Sequence, residues 1–428
     1  MSARRLLPVT ARRLLPVSAR RLLPVTARRL WLVTARRLWL AASLAASFAA
    51  LLVGDPARVA AQSLFNAAGM GVPVEALDGR ARALGNLGIG LNGSALVPTD
   101  PAAAGRLVTG TGVIAGQPSW VDFSREGVTQ RFQGTRFPLL GVAYPAFSGM
   151  LTIQLGSFLD QQYSAERTVT VELVDGPVEA TDHFEQDGAV SSLSVGYARM
   201  LGVRTSVGLV AGRYAGSIDR TLSREFGDLG ASGAVEDFVS GGRWSYGGYA
   251  VTGGVARDLG GLLRLAASAT WSTSLDADAS AETGGADRSF DLPLQLRVGA
   301  SATLAPGLLV TGSAAFAQWS VMEGDLAGDQ TVRDSNAFGA GLELSRARIL
   351  GKRAPLRFGF RQKSLPFSLE SGRASERVFA GGFGLALNEA EGIILAGVDL
   401  AVERGRRTAG PVTEEFWRGT VSLRVSGF

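Results

Sequence analysis

The feature that most restricts how this chain can fold is a two-residue alternation that recurs along almost its whole length. In Asp291–Leu304, Leu292, Leu294, Leu296, Val298, Ala300, Ala302 and Leu304 fall on one face, and Asp291, Gln295, Arg297, Ser301 and Thr303 on the other. In Trp417–Gly427, Val421, Leu423 and Val425 oppose Arg418, Thr420, Ser422 and Arg424. In Leu356–Lys363, Leu356, Phe358 and Phe360 oppose Arg357, Arg361 and Lys363. Such a pattern describes a strand with one apolar and one polar surface.

Roughly fourteen such segments are predicted, near 106–117, 131–145, 150–163, 188–200, 203–217, 244–258, 262–276, 289–305, 308–322, 334–347, 354–366, 376–388, 392–404 and 416–428. Short connections such as Ala146–Gly149, Leu201–Gly202 and Pro306–Gly307 alternate with long ones. The long set includes Pro118–Gln130, Ser164–Asp187, Ile218–Arg243 and Gly405–Glu415, which are rich in charge and glycine as solvated loops are. Strict alternation without helical runs predicts an antiparallel up-and-down meander.

Two architectures satisfy a meander of this kind. A soluble propeller or sandwich would bury its apolar faces against another layer. A transmembrane barrel would turn them to lipid and close the sheet, leaving no unpaired backbone in the bilayer. The strands exceed the ~9–11 residues that cross the hydrocarbon. Their number is even, and the turns alternate short and long. The chain also ends on an aromatic residue, Phe428, a candidate assembly signal for barrel insertion machinery. The predicted fold is therefore an all-β, ~14-stranded antiparallel transmembrane barrel over residues 106–428. Phe428 stands out of phase with the apolar Val425 and Leu423, so a kink at Gly427 is needed to return it to the lipid side.

Residues 1–61 read as an export segment. ARRLLPVT (Ala3–Thr10) recurs in five related copies, followed by the uncharged apolar run Leu38–Val53 and a small-residue exit at Val59-Ala60-Ala61. This is a secretory signal, too short in its apolar part to span a bilayer as a helix. It predicts cleavage near Ala61/Gln62 and an outer-membrane destination. The segment holds eleven of the 43 basic residues and one of the 38 acids, which leaves 32 against 37, a net −5. A nucleic-acid partner, suggested by the +5 of the whole chain, loses its support.

The absence of cysteine excludes thiol catalysis, thiolate metal sites and a disulfide scaffold. The lone His183, in the predicted loop Ser164–Asp187, excludes multi-histidine metal sites and reads as a solvated residue. No cofactor, metal or enzyme activity is implied.

The polar faces are predicted to line a lumen, placing Arg297, Glu343, Arg357, Arg361, Lys363, Arg418 and Arg424 inside. Two readings stay open for them. They are paired charges that rigidify the wall, or some of them form an anion-selective constriction that holds a carboxylate. Arg297, Arg357, Arg361 and Lys363 are the candidate binding residues. Trp120, Phe123, Trp244, Tyr246, Tyr249, Trp271, Trp319 and Trp417 are predicted mainly as an interfacial aromatic belt.

The stretch ARALGNLGIGLNGSALVPTDPAAAGRL (Ala81–Leu107) is not strand-like. It resembles the leading segment of the FadL/TodX family of outer-membrane hydrocarbon and fatty-acid transporters. Ala83-Leu84-Gly85 with Gly88 and Gly90 matches that family's glycine-rich run. Thr99-Asp100-Pro101-Ala102 stands where the family has Asn-Pro-Ala, with Asp100 in place of asparagine. The resemblance implies an N-terminal hatch or plug over residues 62–105, with Asp100, Pro101 and Ala102 as its motif. It also implies a kinked strand for lateral exit, for which the glycine-rich 244–258 is the candidate. The function it implies is passive uptake of hydrophobic or amphipathic molecules, with outer-membrane lipids and the barrel assembly machinery as partners. A structural or adaptor barrel that docks secreted proteins, related to secretion-system barrels, is the alternative.

Overall fold

The computed structural model describes residues 63–428 apart from 94–95, 126–127, 174–175, 228–237, 284, 327–331, 350–351, 368–372 and 391–392. The repeats, apolar run and cleavage site assigned to residues 1–61, with Gln62, lie outside the described residues.

Seventeen strand segments form one antiparallel sheet, and three pairs of them are single strands broken in two, so the described residues build fourteen staves. In chain order these are β1 (Thr111–Arg125), β2 (Val128–Ala146) and β3 (Gly149–Asp160 with Tyr163–Leu173). Then come β4 (Gly176–Leu201), β5 (Thr205–Glu225), β6 (Phe238–Leu259) and β7 (Leu263–Ser272 with Leu275–Ala279). They are followed by β8 (Arg288–Phe290 with Gln295–Ala305), β9 (Leu308–Ala317), β10 (Ser335–Leu344) and β11 (Leu356–Ser364). The last three are β12 (Ser375–Ala390), β13 (Ile393–Ala409) and β14 (Val412–Ser426). The sheet closes where β1 pairs with β14, from Thr111 opposite Ser426 to Ser124 opposite Thr413.

The alternation sorts the two faces as the sequence requires. Outward side chains such as Ile114, Leu140, Val142, Ile153, Leu209 and Val298 are all more than 40% exposed. An apolar surface that runs around a closed sheet is far larger than a soluble protein tolerates, and lipid is the solvent it fits. Exposed Trp120, Tyr249, Trp271 and Trp417 mark the long-hairpin edge of this belt, and Tyr144, Phe147 and Phe428 the short-turn edge. The other four aromatics assigned to the belt depart from that expectation. Phe123, Tyr246 and Trp319 are buried on the inner side, and Trp244 packs against the same inner cluster as Tyr246 and Trp319.

The long connections depart furthest from their predicted form. Pro118–Gln130, Ser164–Asp187, Ile218–Arg243 and Gly405–Glu415 are for the most part not loops, since the strands run on through their described residues as paired ribbons beyond the apolar belt. Their apolar residues are too few and scattered to make a continuous apolar face, which is why alternation misses them. Cross-strand ion pairs hold them instead, at 2.7 Å for Arg131–Asp122, 2.5 Å for Arg224–Asp182 and 2.7 Å for Arg243–Asp219. His183 accordingly lies on β4, 3.3 Å from Glu166 and 3.6 Å from Glu225, rather than in a loop. Leu292 is likewise buried rather than outward, because β8 is interrupted between Phe290 and Gln295.

The terminal aromatic is where a kink would put it. Gly427 has φ +93°, a left-handed conformation that favours glycine, and the Phe428 ring turns back over Gly110 and Gly112 of the seam.

The described residues of 63–110 contain a 3₁₀ turn (Leu64–Ala67) and two short helices, α1 (Gly79–Ala83) and α2 (Pro101–Ala104). Their neighbours come from opposite parts of the cylinder. Leu84 and Gly85 lie against Gly341 and Gly359 of β10 and β11, Gly90 against Gly299 of β8, and Pro101 against Gly208 of β5. The segment is thus enclosed by the barrel.

Candidate functional site

The N-terminal segment is fastened to one wall by charge. Arg80 Nε lies 2.9 Å from Glu343, and Arg82 lies 3.7 Å from Glu75. Glu75 in turn lies 3.6 Å from Arg361 on β11. Ser63 Oγ donates to Glu414 and accepts from Arg407, whose guanidinium also meets Glu376 at 2.7 Å. Arg357 bridges Glu343 at 2.8 Å and Asp399 at 2.6 Å, while Arg361 meets Glu403 at 2.8 Å. These inner charges on β10–β14 are almost wholly buried, and pairing is what makes such burial tolerable. Glu75 shows the balance directly: burial raises its carboxyl, yet Lys363, Arg361 and Arg82 outweigh burial and hold it down to about 2.

Asp100 organises the opposite flank. Its Oδ1 accepts from the Ala103 N–H and caps α2, and its Oδ2 accepts from the Gly90 N–H at 2.9 Å. Burial pushes its carboxyl above the usual range, against those two hydrogen bonds and the Arg264 charge. Pro101 and Ala102 follow as the first residues of the capped turn, with Ala102 fully buried. An aspartate in place of the family's asparagine therefore fits the geometry, since both oxygens are used.

Above this segment lies a cavity of about 170 Å³. Its floor is Pro73–Leu77 with Pro98 and Thr99, and Phe158, Tyr214 and Trp319 supply its aromatic lining. Phe158 and Tyr214 pack against each other with ring planes tilted by 35° and centroids 4.5 Å apart. The charged groups of the cavity are Arg297 from β8, beside Gln295 of the same strand, Lys363 from β11, and Glu75 of the floor.

The four candidate binding cations thus separate. Arg357 and Arg361 are consumed by carboxylates in the wall. Lys363 lines the cavity but keeps Glu376 at 3.7 Å. Arg297 lines it with Gln295 Oε1 as its hydrogen-bond partner at 2.9 Å, and no carboxylate of the described residues is within ion-pair distance.

The wall beside the cavity is incomplete. β2 and β3 pair from Ala146 opposite Gly149 only as far as Leu139 opposite Gly156. Beyond that point β2 pairs with β1 alone and β3 with β4 alone, and one side-chain bond, Ser157 Oγ to the Phe137 carbonyl at 3.1 Å, closes the last step. Pro138 has no N–H to offer a neighbour, and a register shift between Ser157 and Leu159 bends β3 away. The candidate for an irregular strand, 244–258, is laddered continuously to β5 and, on either side of Gly248–Tyr249, to β7, so its irregularity is shorter than the gap between β2 and β3. Toward β5 its glycines keep register throughout, whereas toward β7 the register shifts by one residue at Gly248–Tyr249, where β7 itself is broken between Ser272 and Leu275. Pro138, in the middle of 131–145, was the available signal, since proline inside a strand removes a ladder donor. The charged partners Glu75, Arg80 and Arg82 carried no comparable signal, lying in a segment without periodicity.

No family model matches the chain, and no curated protein matches it in sequence. Solved structures do match in fold. The Pseudomonas putida toluene transporter TodX superposes with a TM-score of 0.53 at 14% identity, covering 83% of this chain and 98% of that one. A Pseudomonas aeruginosa FadL homologue gives 0.55 at 10% identity, covering 83% and 98%. The CymD monoaromatic hydrocarbon channel gives 0.51 at 15% identity, covering 81% and 96%. At these identities the likeness is one of fold.

Proposed function

With that shared fold as its premise, we propose that the chain is an outer-membrane channel for passive uptake of hydrophobic or amphipathic molecules, of the class of long-chain fatty acids and hydrocarbons. The observation that carries this reading is the meeting of cavity and wall gap. The aromatic-lined cavity reaches Gly156, Ser157 and Phe158, the residues at which β2–β3 pairing stops. A molecule held there has a path sideways between strands into lipid, which suits an apolar cargo that gains nothing from water.

In this reading residues 62–105 act as a hatch that closes the axial route, and residues 1–61 as a cleaved export signal. Arg297, with Lys363 lining the same cavity from β11, receives the polar end of an amphipathic cargo, and Arg357 and Arg361 keep the wall and hatch together. The chemistry required is binding and diffusion, with no energy source.

The test is uptake by vesicles containing the purified barrel, using a labelled long-chain fatty acid and a monoaromatic hydrocarbon. Wild type is expected to accelerate entry of at least one. Ala315→Trp, which fills the cavity from β9, is expected to reduce that entry at least tenfold while the folded barrel still shows its heat-dependent gel shift. Equal entry with and without protein sinks the proposal.

A further inference from the structure

The short-turn end of the barrel carries outward arginines at the edge of its apolar belt. Arg199 on β4, Arg204 in the β4–β5 turn and Arg257 on β6 are all exposed. Register groups them: Thr205 stands between Leu201 and Arg257, and Val207 between Arg199 and Val255. None of the three has a carboxylate of the described residues within ion-pair distance. Exposed Arg346, Arg348 and Arg353 form a second basic group on the β10–β11 connection. Acids at this end are mostly spent inward. Glu343 and Asp399 hold Arg357, and Asp258 pairs with Arg106. Among the described residues, Glu389 is the exposed acid there.

The surroundings of these arginines say what covers them. Leu201, Val203, Leu259 and Leu262 lie beside them, with Val203 89% and Leu262 63% exposed. This apolar surface is continuous with the belt above it, through Val255, Leu265 and Leu209. A soluble acidic partner would leave that continuity unexplained. An outward arginine in hydrocarbon is costly, but one at the headgroup level extends its stem along apolar surface and pairs with phosphate. Guanidinium suits phosphate by offering two parallel N–H groups.

We propose that this rim binds the phosphate headgroups of anionic phospholipids in the inner leaflet. The proposal rests on the reading of the chain as an outer-membrane barrel with its short turns toward the periplasm, and not on what the barrel transports. Each basic residue near an anionic surface changes lipid association by roughly fivefold.

The test reconstitutes the full chain in phosphatidylcholine vesicles and compares association of spin-labelled phosphatidylglycerol with spin-labelled phosphatidylcholine. Wild type is expected to prefer phosphatidylglycerol at least fivefold. The triple variant Arg199→Gln, Arg204→Gln, Arg257→Gln is expected to fall to near parity, and Arg404→Gln on a long hairpin to keep the preference. If the triple variant does not fold, the three single variants are read in its place, each expected to lose part of the preference. A wild-type chain that inserts but shows no preference, or variants that retain it in full, overturns this proposal and leaves the channel reading standing. A chain that fails to insert overturns both.

Discussion

Glu75 and Arg361 face each other at 3.6 Å across the boundary between the enclosed N-terminal segment and β11. That contact joins two parts of the chain with no local sequence relationship, and it sits where the floor of the cavity meets the charged wall. Glu75→Gln leaves Arg361, Arg82 and Lys363 short of a carboxylate and is expected to destabilise the docked segment by about 1–3 kcal/mol. The pH dependence has a definite sign. The carboxyl is held at about 2 against an ordinary 4.5, so its contribution is complete above about pH 4.5 and is lost as pH falls through about 2. Protease cleavage within residues 63–110, followed against pH, should show protection at pH 5 and its loss near pH 2.

Asp100 gives the opposite sign. Its carboxyl is raised in the folded chain, so its contribution is complete below its unfolded value and declines as pH rises through the folded one. Asp100→Ala is expected to cost about 1 kcal/mol through the lost α2 cap. Asp100→Asn should keep the cap, lose the Gly90 bond and flatten the pH dependence. Thermal unfolding between pH 4 and 8 distinguishes the three chains, and an identical slope in wild type and Asn variant would refute the assignment.

Arg297 and Arg357 are both inward arginines, yet they should respond oppositely to substitution. Arg297→Gln is expected to leave barrel stability unchanged and to weaken binding of a carboxylate-bearing probe roughly tenfold, sparing a neutral hydrocarbon. Arg357→Gln removes the cation that joins Glu343 and Asp399, leaving them Arg80 and Arg424, and is expected to cost about 3 kcal/mol. Probe titration and urea unfolding, run on both variants, separate the roles.

Gly427→Ala places a Cβ at φ +93° and 2.9 Å from a Leu395 methyl. The strain is roughly 1–2 kcal/mol and displaces Phe428 from its place over the seam. Slower assembly into vesicles, with an unchanged final folded fraction, is the expected readout.

The extent to which the sequence announces this fold follows the distribution of apolar side chains. Where a strand carries one apolar face, as in Leu356–Ser364, alternation identifies the strand and the side that each residue takes, including Arg357, Arg361 and Lys363 inward. Where the ribbon leaves the bilayer, as at Asp182–Arg224, both faces are polar and the same backbone reads as a loop. The site was legible in part. Alternation placed Arg297 inside, but nothing local reveals that Arg361 has Glu403 and Glu75 beside it while Arg297 has no carboxylate of the described residues within ion-pair distance. Those are pairings across forty residues and more. Glycine was a weaker signal, since Gly253-Gly254 stay laddered on both sides and Gly248 marks only a one-residue register shift, whereas the longer interruption lies at Pro138.

The closure between β1 and β14 has a kinetic consequence. Every other ladder joins staves adjacent in the chain, so each hairpin can form from local contacts. The seam instead brings together Thr111 and Ser426, 315 residues apart. Contacts of such separation are reached late, because the chain must first order everything between them. The barrel therefore assembles as a growing curved ribbon with two open margins. A substitution at the seam should slow the final cylinder-forming event while leaving the rate of hairpin growth untouched.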